Sequence, residues 1–244
     1  MPLLEVDGVG VRFGGLTAVD GATFSVEAGA VSGLIGPNGA GKTTLFNVIT
    51  GLQPPTEGRV LLEGTDITRR RPHRRARLGI ARTFQRLEVF GSLSARENVL
   101  VALEMRRRWR RTGGDLVAEA DALLEQVGIA DVAERRVELL PTGTARLVEV
   151  ARALATGPKV LLLDEPSSGL DEAETDALGR LLHELAASGL GVLLVEHDMP
   201  LVMETCSHIA VLDFGRVIAS GPPAAIQSDP AVQRAYLGEA RTPQ

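Results

Sequence analysis

Lysine is nearly missing from this chain of 244 residues: of its 26 cationic side chains only Lys42 and Lys159 are lysines, and the rest are arginine. Cysteine occurs once, at Cys206, which excludes an intramolecular disulfide and any metal site built from several cysteines. That residue reads as a small core side chain. Aromatic residues make up 3% of the chain, with a single tryptophan and a single tyrosine. No stretch approaches the roughly 18 consecutive apolar residues that a membrane-crossing helix needs; the richest runs are Val160 to Leu163 and Gly191 to Val195. Positive charge is not in excess either. A net charge of -5 argues against broad nucleic-acid binding, which normally requires a basic face. The arginine clusters at Arg69 to Arg77 and Arg106 to Arg111 read as solvated helix and loop surface. Met1-Pro2-Leu3-Leu4-Glu5 enters a strand pattern without the basic stretch and apolar core of a secretory signal, so a cytoplasmic protein is expected.

What is present is an apolar fraction of 44%, enough to fill a sizeable core, and one stretch of high information. Gly36-Pro37-Asn38-Gly39-Ala40-Gly41-Lys42-Thr43-Thr44 fits the phosphate-loop pattern G-x-x-x-x-G-K-[ST]. The apolar run Val31 to Ile35 before it predicts a strand and Thr43 to Thr50 a helix. Glycines at such a junction let successive N–H groups converge on one point, and the helix N-terminus adds partial positive charge, which together suit a polyphosphate. Lys42 is placed to reach the β- and γ-phosphates, Thr43 to offer its hydroxyl to Mg²⁺, and Thr44 to add a further phosphate contact.

Alternation of apolar with polar or small residues predicts antiparallel strands over Leu3 to Val11 and Ala22 to Val26. Phe13, between them, is a candidate to stack on adenine. Strands are also expected at Arg59 to Leu62 and at Leu78 to Phe84, the second ending in Gln85, whose amide suits Mg²⁺ coordination and the orientation of an attacking water. Helical spacing covers Ser94 to Leu103 and Leu116 to Val127, broken by the arginine run and Thr112-Gly113-Gly114. Leu140-Pro141-Thr142-Gly143-Thr144-Ala145 then leads into a helix, with Gly143 expected to stand exposed ahead of it. Val160 to Leu163 reads as a buried strand ending at Asp164 and Glu165. Strand alternation sends those two carboxylates to opposite sides, Asp164 toward Mg²⁺ and Glu165 toward the water that attacks the γ-phosphate. Asp171 is placed to cap the next helix. Gly191 to Val195 is a second buried strand, and it brings His197 to the same sheet edge. His73, His183 and His208 read as surface or packing residues. Ile209 to Leu212 and Arg216 to Ser220 form a hairpin pattern, and the tail from Pro222 onward reads as one or two helices.

The order Phe13, phosphate loop, Gln85, Leu140 to Ala145, Asp164-Glu165, Ser168 to Asp171 and His197 resembles the ATP-binding subunit of ATP-binding-cassette (ABC) transporters, over essentially the whole chain. Arg82-Thr83-Phe84-Gln85, His197-Asp198-Met199 and the ending Arg234-Ala235-Tyr236-Leu237-Gly238-Glu239-Ala240 narrow the resemblance to the branched-chain amino acid importers. It implies an α/β fold: a P-loop NTPase, RecA-like core with an antiparallel β-subdomain (1–85 and 156–221), an inserted α-helical subdomain (86–155) and a helical tail (222–244), all in one domain. The implied activity is ATP hydrolysis coupled to transport, with ATP and Mg²⁺ bound, Thr43, Gln85 and Asp164 as metal ligands, and Glu165, His197 and Gln85 at the reaction centre. The remaining contacts to nucleotide would come from Phe13, Gly36, Asn38, Gly39, Ala40, Gly41, Lys42, Thr43, Thr44 and Gly143. The implied partners are a second ATPase subunit in a head-to-tail dimer, two transmembrane permease subunits and, indirectly, a substrate-binding protein. Such a subunit sits in the cytoplasm against the inner face of the cell membrane.

One position departs from the family pattern. The signature Leu-Ser-Gly-Gly-Gln is here Leu140-Pro141-Thr142-Gly143-Thr144, and Pro141 supplies neither the serine hydroxyl nor an N–H, leaving Gly143 as the chief donor. This predicts pairing with a different ATPase subunit rather than with a second copy, the homodimer being the alternative. A regulatory ATPase without a transporter, and an importer of urea or short amides, are the competing functions.

Overall fold

Strands and helices alternate through the chain, and the structure, a computed structural model, describes residues 2–110 and 113–237. Residues 238–240 of the tail motif, and Arg111 and Thr112 of the arginine-rich break, lie outside the described residues. The central sheet has six strands in the order β10 (Arg216–Gly221), β9 (His208–Asp213), β3 (Val31–Ile35), β8 (Gly191–Val195), β7 (Val160–Asp164) and β6 (Ile80–Arg82). All neighbours are parallel except β9 and β10, which form the predicted hairpin. The inner strands read as unbroken apolar runs because both faces are covered. On β7, Leu161 and Leu163 enter one core and Val160 and Leu162 the other; on β8, Val192 and Leu194 divide from Leu193 and Val195 in the same way.

A second, antiparallel sheet orders β2 (Leu16–Val26), β1 (Leu4–Phe13), β4 (Glu57–Leu62) and β5 (Thr65–Asp66). The first two strands run further than alternation alone predicts. They meet at Phe13↔Leu16 across the two-residue turn Gly14-Gly15, so the segment expected to separate them is mostly strand. Gly14 takes φ 58, which a two-residue hairpin turn requires.

The expected strand over Leu78 to Phe84 is corrected. Leu78 ends helix α2 (Pro72–Leu78), Gly79 closes that helix with φ 110, and only Ile80–Arg82 pairs with β7. Arg75 on α2 is also not surface: it is 1% exposed and donates to the carbonyls of Val48, Ile49, Thr68 and Arg70. It thereby adds to the hydrogen bonds of the last turn of α1 (Lys42–Thr50), where Gly51 N–H already donates to Val48 O.

Helix α3 (Ala95–Arg110) is longer than expected, continuing into the arginine run as far as Arg110. Ser94 and Glu97 start it with reciprocal bonds, each side chain accepting the other's backbone N–H. With α4 (Leu116–Gln126) and α5 (Thr142–Ala155) it packs on the far side of β6 from the antiparallel sheet. Helices α6 (Glu172–Ala187) and α7 (Met199–Thr205) cover the inner strands, and α8 (Pro223–Ser228) and α9 (Pro230–Leu237) form the tail. Cys206 is buried, and burial pushes its thiol up to about 12. No helix among the described residues is long and apolar enough to cross a membrane.

Candidate functional site

The C-terminal ends of β3, β6, β7 and β8 lie side by side, and each delivers a sequence-predicted residue to one cavity of about 420 Å³. Asn38, Gly39, Ala40, Gly41, Lys42, Thr43 and Thr44 follow β3; Gln85 follows β6; Asp164 and Glu165 close β7; and His197 follows β8. This is the crevice where open parallel sheets gather ligands.

Two glycines of the loop are required by close approach. A Cβ at Gly36 would lie 1.9 Å from the Leu212 carbonyl oxygen, and one at Gly41 would lie 2.6 Å from that of Ala18. Both carry positive φ, 150 and 109 respectively. The loop is braced from the β9–β10 turn as well, where Gly215 N–H donates to Ala40 O at 2.9 Å and Gly215 O accepts from Asp20 N–H at 2.8 Å.

Lys42 is 8% exposed, and its ammonium donates to Gly36 O at 2.6 Å and Pro37 O at 2.9 Å. Burial lowers its pKa, while the nearby Glu165 and Asp164 carboxylates oppose that shift. The loop's carbonyls thus hold the charge at the mouth of the cavity.

Asp164 and Glu165 do not separate as strand alternation predicts, because Glu165 leaves the strand with φ 51. A left-handed glutamate is strained and is held here by its surroundings. Its carboxylate accepts from Gln85 Nε2 at 3.3 and 3.4 Å and lies 2.9 Å from His197 Nε2. Just beyond it, buried Glu196 ties the following turn down, accepting from the N–H of Ser167 at 2.7 Å and of His197 at 3.1 Å.

Asp164 is 3% exposed and pairs through Oδ2 with Arg82 at 2.9 Å. Arg82 also donates to Asn47 Oδ1 at 2.6 Å, and its guanidinium lies 5.2 Å from the Phe46 ring centre and 4.8 Å from that of Phe84. The sequence marked Arg82 only as part of a motif. Its burial and its partners become visible only when β6 is set beside β7. The Asp164 N–H further donates to Thr83 Oγ1 at 3.2 Å.

Thr43, Gln85 and Asp164 line the same cavity and offer hydroxyl, amide and carboxylate oxygens, a hard donor set suited to Mg²⁺. Among the described residues no three His, Cys, Asp or Glu side chains gather into a metal cage. A cation here would need its other ligands from phosphate and water.

Three predicted residues do not line this cavity: Gly36, at the start of the loop, Phe13 and Gly143. Phe13 ends β1 at 48% exposure, and the hairpin reaches the cavity through Leu16, Thr17 and Ala18 instead. Gly143 is corrected more sharply: it lies inside the first turn of α5, buried, not exposed ahead of it. A Cβ there would come 2.5 Å from Leu170 Cδ2, so α5 begins pressed against the turn that follows Glu165. Of the other histidines, His73, His183 and His208 are surface residues as expected.

Beside the Gln85 loop, a second cavity of about 440 Å³ runs between α2 and α3. Its walls include Ala81, Phe84, Phe90, Met105 and Trp109, with Glu149 and Arg152 of α5 alongside. Arg77 stands 5.7 Å from the Trp109 ring centre. Burial raises the Glu149 pKa, opposed by backbone N–H groups of the Gln85 loop and by Arg146. Burial likewise lowers that of Arg152.

Comparison with known proteins gives a consistent result. The ABC transporter family profile matches residues 19–168, and that of the branched-chain amino acid ATP-binding cassette transporter matches 216–242. The chain is 42% identical to the high-affinity branched-chain amino acid transport ATP-binding protein BraF of Pseudomonas aeruginosa, over 98% of this chain and 99% of that one. It is 39% identical to LivG of Escherichia coli K12, of the same description, with the same coverage. The lipopolysaccharide export system ATP-binding protein LptB of Haemophilus influenzae is 34% identical over 98% of both chains. Among solved structures, a nucleotide-free ATP-binding cassette from an ABC transporter superposes with a TM-score of 0.88 at 34% identity, covering 98% of this chain and all of that one. The ADP conformation of the cassette MJ1267 gives 0.86 at 33% identity, with the same coverage.

Proposed function

Because this chain belongs to the ABC transporter family as one of its ATP-binding cassettes, we propose that it hydrolyses ATP to drive an importer of branched-chain amino acids. The observation that carries the reading is the Glu165 carboxylate, held between His197 and Gln85 in the cavity that also contains Lys42 and Asp164. The cargo rests on the similarity to BraF and LivG and on the match over 216–242. A lower identity to a lipopolysaccharide exporter's cassette fits a family in which the cassette supplies work and other chains choose the cargo.

In the mechanism that follows, ATP enters with its phosphates over the loop of Gly36, Asn38, Gly39, Ala40 and Gly41 at the N-terminus of α1. Lys42 exchanges its two carbonyl partners for β- and γ-phosphate oxygens. Thr44 adds a phosphate contact, and adenine packs on Phe13 at the hairpin end. Thr43, Gln85 and Asp164 would hold Mg²⁺, which when bound neutralises charge on the β- and γ-phosphates. Glu165 takes the proton of the attacking water, and His197, fixed against it, donates to the γ-phosphate and senses its loss.

We assign closure of the cavity to the signature loop of a second ATPase subunit. This chain's own loop, Leu140 to Ala145, would face that partner's nucleotide, and the missing serine favours a different chain as partner. The apolar cavity beside Gln85 is the proposed seat of a permease segment, which would hold the cassette against the inner face of the membrane. A substrate-binding protein then delivers the cargo from the other side.

Replacement of the base tests the reading. Glu165→Gln should retain ATP binding while phosphate release falls about 10²- to 10⁴-fold. Turnover equal to that of the wild type would remove Glu165 from the mechanism.

A further inference from the structure

Helix α5 directs three charged side chains, Arg146, Glu149 and Arg152, toward the backbone of the loop that carries Gln85. Arg146 donates through Nη1 to Phe84 O at 2.7 Å and through Nη2 to Gln85 O. Glu149 Oε1 accepts the Phe84 N–H at 3.1 Å. One turn further on, Arg152 donates to Glu88 O. The spacing of i, i+3 and i+6 keeps all three on one helical face, aligned with the loop they hold.

A simple stabilising ion pair would look different. Arg146 and Glu149 are 7% and 5% exposed, yet they approach each other only to 3.6 Å. Arg146 Nε, Glu149 Oε2 and Arg152 Nε have no hydrogen-bond partner. Buried charges contribute little to stability when so incompletely satisfied, and well-packed apolar side chains would serve a core as well. What these groups do satisfy is the backbone of a segment between β6 and α3 that has no ladder or helix of its own. The loop cannot shift without breaking those bonds, and it contains the amide that faces Glu165. The N-terminus of α5 meanwhile packs against the turn after Glu165, at Gly169 and Leu170.

We infer that Arg146, supported by Glu149, is a positioning residue that sets Gln85 against Glu165, making α5 the strut between the helical region and the reacting carboxylate. The inference rests on the ATPase reading above but concerns residues to which that reading gives no role. It acts entirely through Gln85, and this gives it a test that a stabilising role would not pass.

The experiment measures steady-state ATP hydrolysis by the full chain paired with its second ATPase subunit, with this chain carrying Arg146→Met, Gln85→Ala, or both. Arg146→Met should lower kcat about tenfold, the scale of one lost charge-assisted hydrogen bond, with KM for ATP within about twofold of wild type. In the Gln85→Ala background the same substitution should cost nothing further. An undiminished loss in that background would overturn the inference, as would an unchanged kcat in Arg146→Met. Should Arg146→Met not fold, Arg146→Lys keeps the charge but cannot span two carbonyls, and its amide exchange over residues 84–88 should rise selectively. Wild-type exchange there, in a folded Arg146→Lys protein, would likewise refute it. Absence of hydrolysis by the wild-type pair counts instead against the ATPase reading, since the exchange measurement needs no turnover.

Discussion

Arg82 joins three elements through one planar group: Asn47 of α1, Asp164 of β7 and the two flanking phenylalanine rings. Both members of its ion pair are about 5% exposed or less. Removing one of them strands the other in a dry site, a change that costs about 3–5 kcal/mol. Arg82→Met should therefore lower the urea midpoint by that equivalent with unchanged slope, and Arg82→Met with Asp164→Asn should recover part of the loss. A destabilisation below about 1 kcal/mol would show the pair to be relaxed by solvent. The motif around Arg82 marks a resemblance but says nothing of its burial, and the buried Arg75 was missed because its neighbours read as solvated arginines. Lys42 was legible because the spacing of its glycines fixes its surroundings. Glu165 was legible as a residue but not as a direction, since alternation along a strand does not anticipate the left-handed φ with which the chain leaves β7.

At the scale of elements, boundaries were read best where a cap is written in the sequence. Asp171 accepts the Glu174 N–H at 2.8 Å and Glu174 returns a bond to the Asp171 N–H at 2.9 Å, so α6 begins where the sequence places it. Asp171→Ala should cost about 0.5–2 kcal/mol, seen as a lower denaturant midpoint of the isolated chain. A shift within error would mean that Glu174 or water takes over the cap. The reading of Leu78 to Phe84 as one strand failed because Gly79 is a helix terminator there and not a strand residue. The arginine run was read as a break, but arginine is a good helix former, and α3 continues to Arg110. Gly143 looked like an exposed donor because the capping pattern shows where a helix starts, not what packs on its first turn.

For the whole molecule, the parallel order of the sheet was legible from its apolar runs, and with it the edge at which the site would form. Which cavities lie along that edge was not, since they depend on β6 meeting α5. The proposed asymmetry of pairing also belongs at this scale. With ATP, the Glu165→Gln chain alone should remain monomeric in analytical ultracentrifugation and form a 1:1 dimer once a second ATPase subunit with an intact serine signature is added. A stable ATP-dependent homodimer would refute the preference for a different partner. The shortage of aromatic residues has a practical result as well. Trp109 is the chain's one tryptophan, and it stands on the wall of the cavity beside the Gln85 loop, next to a cation. Indole emission excited at the red edge of its absorption band therefore comes from that wall alone, and its wavelength and quenching give an optical record of what enters the groove, apart from any chemistry at the phosphates.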